Sequence, residues 1–149
     1  MNDDPFTIKD DHSTVDSLVQ LSFLIQSILG QVGAAHNLSI IQIRLLGILR
    51  DREPSMLQLA QYLQLDKSSI TGLINRAESR GLVERTVSQH DKRGFNVRVT
   101  SAGWELIPIV AQEIERAIHA ATEVITEAER SLLAGLTTKI LRQSVGQTK

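Results

Sequence analysis

Cysteine is absent from the 149-residue chain. That excludes disulfides, thiolate nucleophiles, cysteine-based redox sensing and any cysteine-ligated metal. Aromatic residues are almost as scarce: three Phe, one Trp and one Tyr offer little for stacking platforms or aromatic interface anchors. No unbroken apolar run approaches the ~20 residues of a membrane helix. The start MNDDPFTIKDDHS is acidic and lacks the charged-then-apolar layout of a secretory signal, so the expected compartment is the cytoplasm. There is no glycine-rich phosphate loop and no nucleophile with an evident base, and the four histidines lack a ligand-like spacing. An enzyme, a cofactor and a metal are therefore not expected.

What is present is an uneven charge. The formal net charge is −1, yet residues 67–98 hold 7 Lys/Arg against 3 Asp/Glu, while residues 1–66 hold 4 against 8. A local cationic excess is what a polyanion meets, because binding depends on the face presented and not on the total. The plain alternative is a solvated charged surface.

The helix signals are local. Val15, Leu18, Leu21, Ile25, Ile28, Leu29 and Val32 recur at helical spacing over residues 14–36. Ser39 with Gln42, Ser55 with Gln58 and Thr126 with Glu129 each have the spacing of a capping box. Asp66 precedes a helix from Lys67 to about Arg80 in which Ile70, Leu73, Ile74 and Ala77 form one apolar face, and Gly81 sits where a left-handed cap is needed. The run from Leu82 to Val87, and the alternation of Phe95, Val97 and Val99, predict two short strands joined by a charged loop. Thr100 opens another long helix, in which Pro108 should introduce a kink or shift the start.

The expected fold is mainly α with a small β-hairpin wing. It is a winged helix-turn-helix lobe over residues 39–100, with helices 14–36 and 101–143 forming a dimerisation lobe. The end helices carry apolar stripes best satisfied by a second copy, so a homodimer is expected. In such a unit the second helix enters the major groove of a duplex. Lys67, Ser68, Ser69, Thr71, Gly72, Asn75 and Arg76 lie opposite its apolar face and are the candidate base and phosphate contacts. On the wing, Arg93 is placed toward the minor groove, His90 and Lys92 toward phosphates, and Arg85 and Arg98 as braces on the DNA backbone. The plain readings are that the hydroxyl residues are ordinary first-turn helix residues and that Lys92 and Arg93 belong to a solvated loop.

The stretch LDKSSITGLINRAESRGLVERTVSQHDKRGFNVRVTSAG resembles the MarR family of bacterial transcriptional regulators. The family pattern of Asp-x-Arg followed by two spaced aliphatics and Thr is met by Asp91, Arg93, Val97, Val99 and Thr100, and Gly103 follows. The resemblance implies a single MarR-like domain over residues 1–149. It also implies a homodimeric repressor on a pseudo-palindromic operator of double-stranded DNA, often released by a small aromatic or phenolic effector. Gly72, Asn75 and Ala77 depart from the arginine, aspartate and leucine common there. The effector site implied by the family lies between the dimer helices and the DNA-binding lobe, where His12, His36 and Arg44 are the candidate polar groups. The competing reading is a winged-helix interaction module whose basic face meets an acidic protein. The small hydroxyls and the scarcity of aromatics argue against it.

Overall fold

The computed structural model describes residues 13–88 and 94–145. The described elements are helices α1 (Thr14–Ala35), α2 (Ile40–Leu49), α3 (Met56–Leu63) and α4 (Lys67–Ser79), strands β1 (Val83–Val87) and β2 (Phe95–Val99), and helices α5 (Ser101–Ala121) and α6 (Glu127–Val145). The chain divides into two compact units, Met1–Ile114 and Glu115–Lys149.

In the first unit the helix ends follow from capping chemistry. The Ser39 side chain accepts from the Gln42 N–H at 3.2 Å while Gln42 Oε1 accepts from the Ser39 N–H at 2.9 Å. Gln42 is buried, so a neutral amide at this position closes the cap without burying a charge. Ser55 and Gln58 repeat the arrangement at 3.1 and 3.0 Å. Helix α1 ends with Asn37 at φ 54° and the Leu38 N–H on Gly33 O at 2.8 Å. Helix α3 ends with Gln64 at φ 54° and the Leu65 N–H on Ala60 O at 2.9 Å. Helix α4 closes on Gly81 at φ 71°, with the Leu82 N–H on Ala77 O at 3.1 Å. This six-to-one bond turns the chain directly into β1.

The strands pair antiparallel with Val83 opposite Val99, Arg85 opposite Val97 and Val87 opposite Phe95. A third segment joins them: the Val97 N–H donates to Pro54 O at 2.9 Å, and Ser55 bridges Asn96. Thr100 starts α5 by accepting the Gly103 N–H at 3.1 Å. A Cβ at Gly103 would collide with Leu82 O and lie 2.6 Å from Val99 Cγ1, so only glycine lets α5 leave the hairpin this closely. The start of α5 is not shifted by Pro108, and the helix runs through it. Pro108 and Trp104 are exposed, so the carbonyl deprived of its partner can turn to water.

Leu45, Leu59, Leu73, Ile74, Val83 and Val97 are the largest fully buried side chains. They come from α2, α3, α4 and both strands, so α4 is bedded on the core along its whole apolar face. Helix α1 covers the stretch its apolar period predicts, and no unbroken apolar run of ~20 residues occurs in it. An 18-residue window of this 22-residue helix has a mean hydropathy of 1.4, and the helix is long and apolar enough by length and composition to cross a membrane. Scattered Ser and Gln break the apolar run without lowering its average much, and Asp16 is its one charge. Val15, Leu18, Val19, Leu21, Phe23 and Leu24 are exposed along it.

In the second unit Thr126 and Glu129 cap α6 reciprocally at 2.9 and 3.1 Å. Arg130 Nη1 donates to Thr122 O at 3.1 Å and Ile125 O at 3.2 Å, tying the first turn of α6 to the end of α5. No residue of α6 is buried. Leu132, Leu133, Leu136, Ile140 and Leu141 lie open along it.

Candidate nucleic-acid interface

Four residues, Ile70, Leu73, Ile74 and Ala77, anchor α4 in the core. That fixes the rotation of the helix about its axis and decides what faces out. Lys67, Ser68, Ser69, Thr71, Asn75 and Arg76 are exposed, and Gly72 is half-buried. Asp66 holds the first turn: its Oδ1 accepts from the Ser69 N–H at 2.7 Å and from Ser68 Oγ at 3.1 Å. The Ser69 N–H, then the Ser69 and Ser68 hydroxyls, hold the Asp66 carboxyl below the ordinary aspartate value. Thr71 Oγ1 donates back to Lys67 O at 2.8 Å. The protons of Ser68 and Thr71 are thus committed to the helix itself, and what these side chains offer outward is small size, acceptor lone pairs and, at Thr71, a methyl group.

Arg76 bends back along the helix. Its Nη1 lies 3.1 Å from where a Cβ on Gly72 would stand, so the glycine leaves a seat for the guanidinium. A groove of about 360 Å³ opens beside it, lined by Ile41, Leu65, Ser68, Ser69, Gly72, Leu73 and Arg76.

The two arginines expected to brace the DNA backbone, Arg85 and Arg98, are each paired within the lobe. Arg85 Nη1 donates to Glu78 Oε1 at 2.9 Å and Nη2 to Asn75 Oδ1 at 2.6 Å. Arg98 Nε pairs with Glu84 Oε1 at 2.6 Å, directly across the hairpin. Each is neutralised by a carboxylate of the same lobe, which reduces its pull on a phosphate. Lys67 and Arg76 make no ion pair among the described residues. His90, Lys92 and Arg93 of the expected wing tip lie outside the described residues.

Of the residues expected around an effector, two are described, each with its own partner. His12 lies outside the described residues. His36 Nε2 meets Glu113 Oε2 at 2.9 Å, and exposed Arg44 donates to Tyr62 O at 3.3 Å. Neither lines the groove beside α4. Sequence reasoning missed Arg80, which donates to the carbonyls of His36, at 2.9 Å, and Asn37. It ties the end of α4 to the turn after α1. Nothing local marks a contact to carbonyls more than 40 residues away along the chain. It also missed Glu78, for which an acid seven residues before Arg85 was the available signal.

The model of the MarR family matches residues 36–94, which contain this arrangement. A putative transcriptional regulatory protein for the hcr operon of Thauera aromatica is 31% identical over 85 residues, 57% of this chain and 51% of that protein. The chain thus spans about half the length of this relative. The HTH-type transcriptional regulator PecS of Dickeya dadantii is 26% identical over 137 residues, 88% of this chain and 81% of that one. The fold is similar to that in the crystal structure of an S. aureus MepR-DNA complex, with a TM-score of 0.73 at 18% identity over 89% of this chain and 99% of the other.

Proposed function

We propose that the chain, whose residues 36–94 match the MarR family, is a sequence-specific DNA-binding transcriptional regulator, acting in the cytoplasm as a homodimeric repressor on a pseudo-palindromic operator. One observation carries this reading: α4 is locked in rotation by four core residues and turns a face of small hydroxyls, one amide and two cations to solvent. That face has the size and chemistry of a major-groove edge reader. Both units serve one MarR-like domain, in which the apolar faces of α1 and of α6 meet a second copy, and the two recognition helices then stand about 34 Å apart, one turn of duplex. Lys67 and Arg76, with Lys92 and Arg93 of the wing tip, supply the phosphate and groove charge. Ser69 and Thr71 read base edges.

Release by a small aromatic or phenolic effector belongs to the same proposal. The groove beside α4 pairs apolar Ile41, Leu65 and Leu73 with the Arg76 guanidinium, a lining suited to an aryl group bearing an anionic substituent. A molecule seated there would compete with duplex for Arg76.

Selection of bound duplexes from a random pool tests the proposal. The expected product is an inverted repeat with half-sites one turn apart, bound with an affinity that falls steeply as salt rises. Arg76→Ala and Arg93→Ala should weaken every duplex, whereas Ser69→Ala and Thr71→Ala should mainly change sequence preference. A pool that returns no salt-sensitive duplex would sink the reading.

A further inference from the structure

The contact between wing and recognition helix bears on which base is read, and it rests on the DNA-binding reading above. Arg85 stands at the centre of β1. Its guanidinium reaches α4 at two points, Glu78 Oε1 at 2.9 Å and Asn75 Oδ1 at 2.6 Å. A guanidinium carries donors only, so the atom of the Asn75 amide that faces it must be the oxygen. The amide orientation is therefore set by chemistry, and the two N–H bonds of the amide nitrogen are turned away from Arg85. The Arg85 side chain is 24% exposed, and Glu78 balances its charge in place. Asn75 itself is exposed on the outward face of α4.

An unconstrained asparagine reads adenine, by accepting from N6 with its oxygen while donating to N7 with its nitrogen. Asn75 is not unconstrained. Arg85 takes one of the two Oδ1 lone pairs and fixes how the amide is turned, so the group left wholly unpaired for a base is the NH2 with its two N–H donors. These match the two major-groove acceptors of guanine, O6 and N7, and they meet the N6 amino group of adenine donor to donor. We propose that Arg85 is a positioning residue that fixes the Asn75 amide as a donor, so that the base pair beneath Asn75 is selected as guanine and not as adenine. Arg85 touches no base in this scheme. It sets specificity from the wing, through the amide it holds.

The experiment starts from the duplexes that the wild-type protein selects. The base position governed by Asn75 is identified as the one at which Asn75→Ala abolishes preference, and all four bases are then measured there. Guanine is expected to exceed adenine by about tenfold, the scale of one good base contact. The double variant Arg85→Met with Glu78→Gln removes the clamp without changing net charge. It should raise adenine relative to guanine by about tenfold and leave the salt dependence as it was. A purely structural role for Arg85 predicts instead an equal loss on all four bases, and that result would overturn the proposal. Should the double variant not fold, wild-type protein decides the matter on duplex carrying 7-deazaguanine at that position. Loss of the N7 acceptor should lower affinity several-fold, and unchanged affinity overturns the proposal. So does a wild-type preference for adenine there, or an Asn75→Ala protein whose preferences match the wild type at every position. These last results leave DNA binding standing, whereas a protein that selects no duplex removes both readings.

Discussion

Asp66 shows how much one exposed side chain can organise. It accepts from the first turn of α4 through Oδ1 at 2.7 and 3.1 Å, and those donors lower its pKa. A carboxyl held below its unfolded value contributes stability that is complete above about pH 4, the ordinary aspartate range, and is lost as pH falls through the lower folded value. Thermal melts from pH 6 to pH 2 should therefore show a component of acid destabilisation that Asp66→Asn lacks, since an amide cap does not titrate there. Gly103 acts by its missing side chain. Because a Cβ would strike the Leu82 carbonyl and Val99, Gly103→Ala should cost about 2 kcal/mol or more in urea unfolding. A method-independent sign of that damage would be a loosened hairpin, since both struck residues flank or belong to it.

At the scale of the element, α4 is a helix whose inward half is core and whose outward half is available for contact. Leu73 is 1% exposed, so Leu73→Ala should destabilise the first unit by about 3 kcal/mol. Thr71→Ala, on the opposite face, should leave the urea midpoint within a few tenths molar of wild type. The turn between α3 and α4 holds Gln64 at φ 54°, a conformation that costs an L-residue roughly 1–2 kcal/mol. Glycine avoids that cost but loses roughly 0.5–1 kcal/mol of backbone entropy on folding, so Gln64→Gly should raise stability by about 0.5–1 kcal/mol. A lower melting temperature would show that the Gln64 side chain contributes more than its backbone costs. The hairpin is likewise more than two strands, since Pro54 and Ser55 run against β2. Val97→Pro, which deletes the N–H bonded to Pro54, should unseat the wing from the core.

For the whole molecule the question is what covers the apolar helices. Helix α1 exposes Leu18, Phe23 and Leu24, and α6 exposes Leu133, Leu136 and Ile140. A 19-residue helix with no buried residue gains little from tertiary packing, the main support of helices in proteins, and this favours a second copy as the missing surface. Light scattering should give twice the 16.5 kDa mass of the chain. Leu136→Glu combined with Leu18→Glu should shift the protein toward monomer and lower operator affinity by at least tenfold, because two linked half-sites no longer bind together. A monomeric wild type that still selects an inverted repeat would contradict this assembly.

The helix starts and stops were legible in the sequence alone, because the groups that satisfy a helix end lie within a few residues of it. Ser39 with Gln42, Ser55 with Gln58, Asp66, Gly81 and Thr126 with Glu129 all cap where their spacing places them. The period of Ile70, Leu73, Ile74 and Ala77 likewise settled which face of α4 is buried. What tertiary structure alone decided is the fate of the cations. Counting charges over residues 67–98 makes that region strongly basic, yet Arg80 goes to the carbonyls after α1, Arg85 to Glu78 and Asn75, and Arg98 to Glu84. A long side chain takes whichever acceptor the fold brings within about 3 Å, and that neighbour is set by packing across the chain, where neither spacing nor composition has any hold.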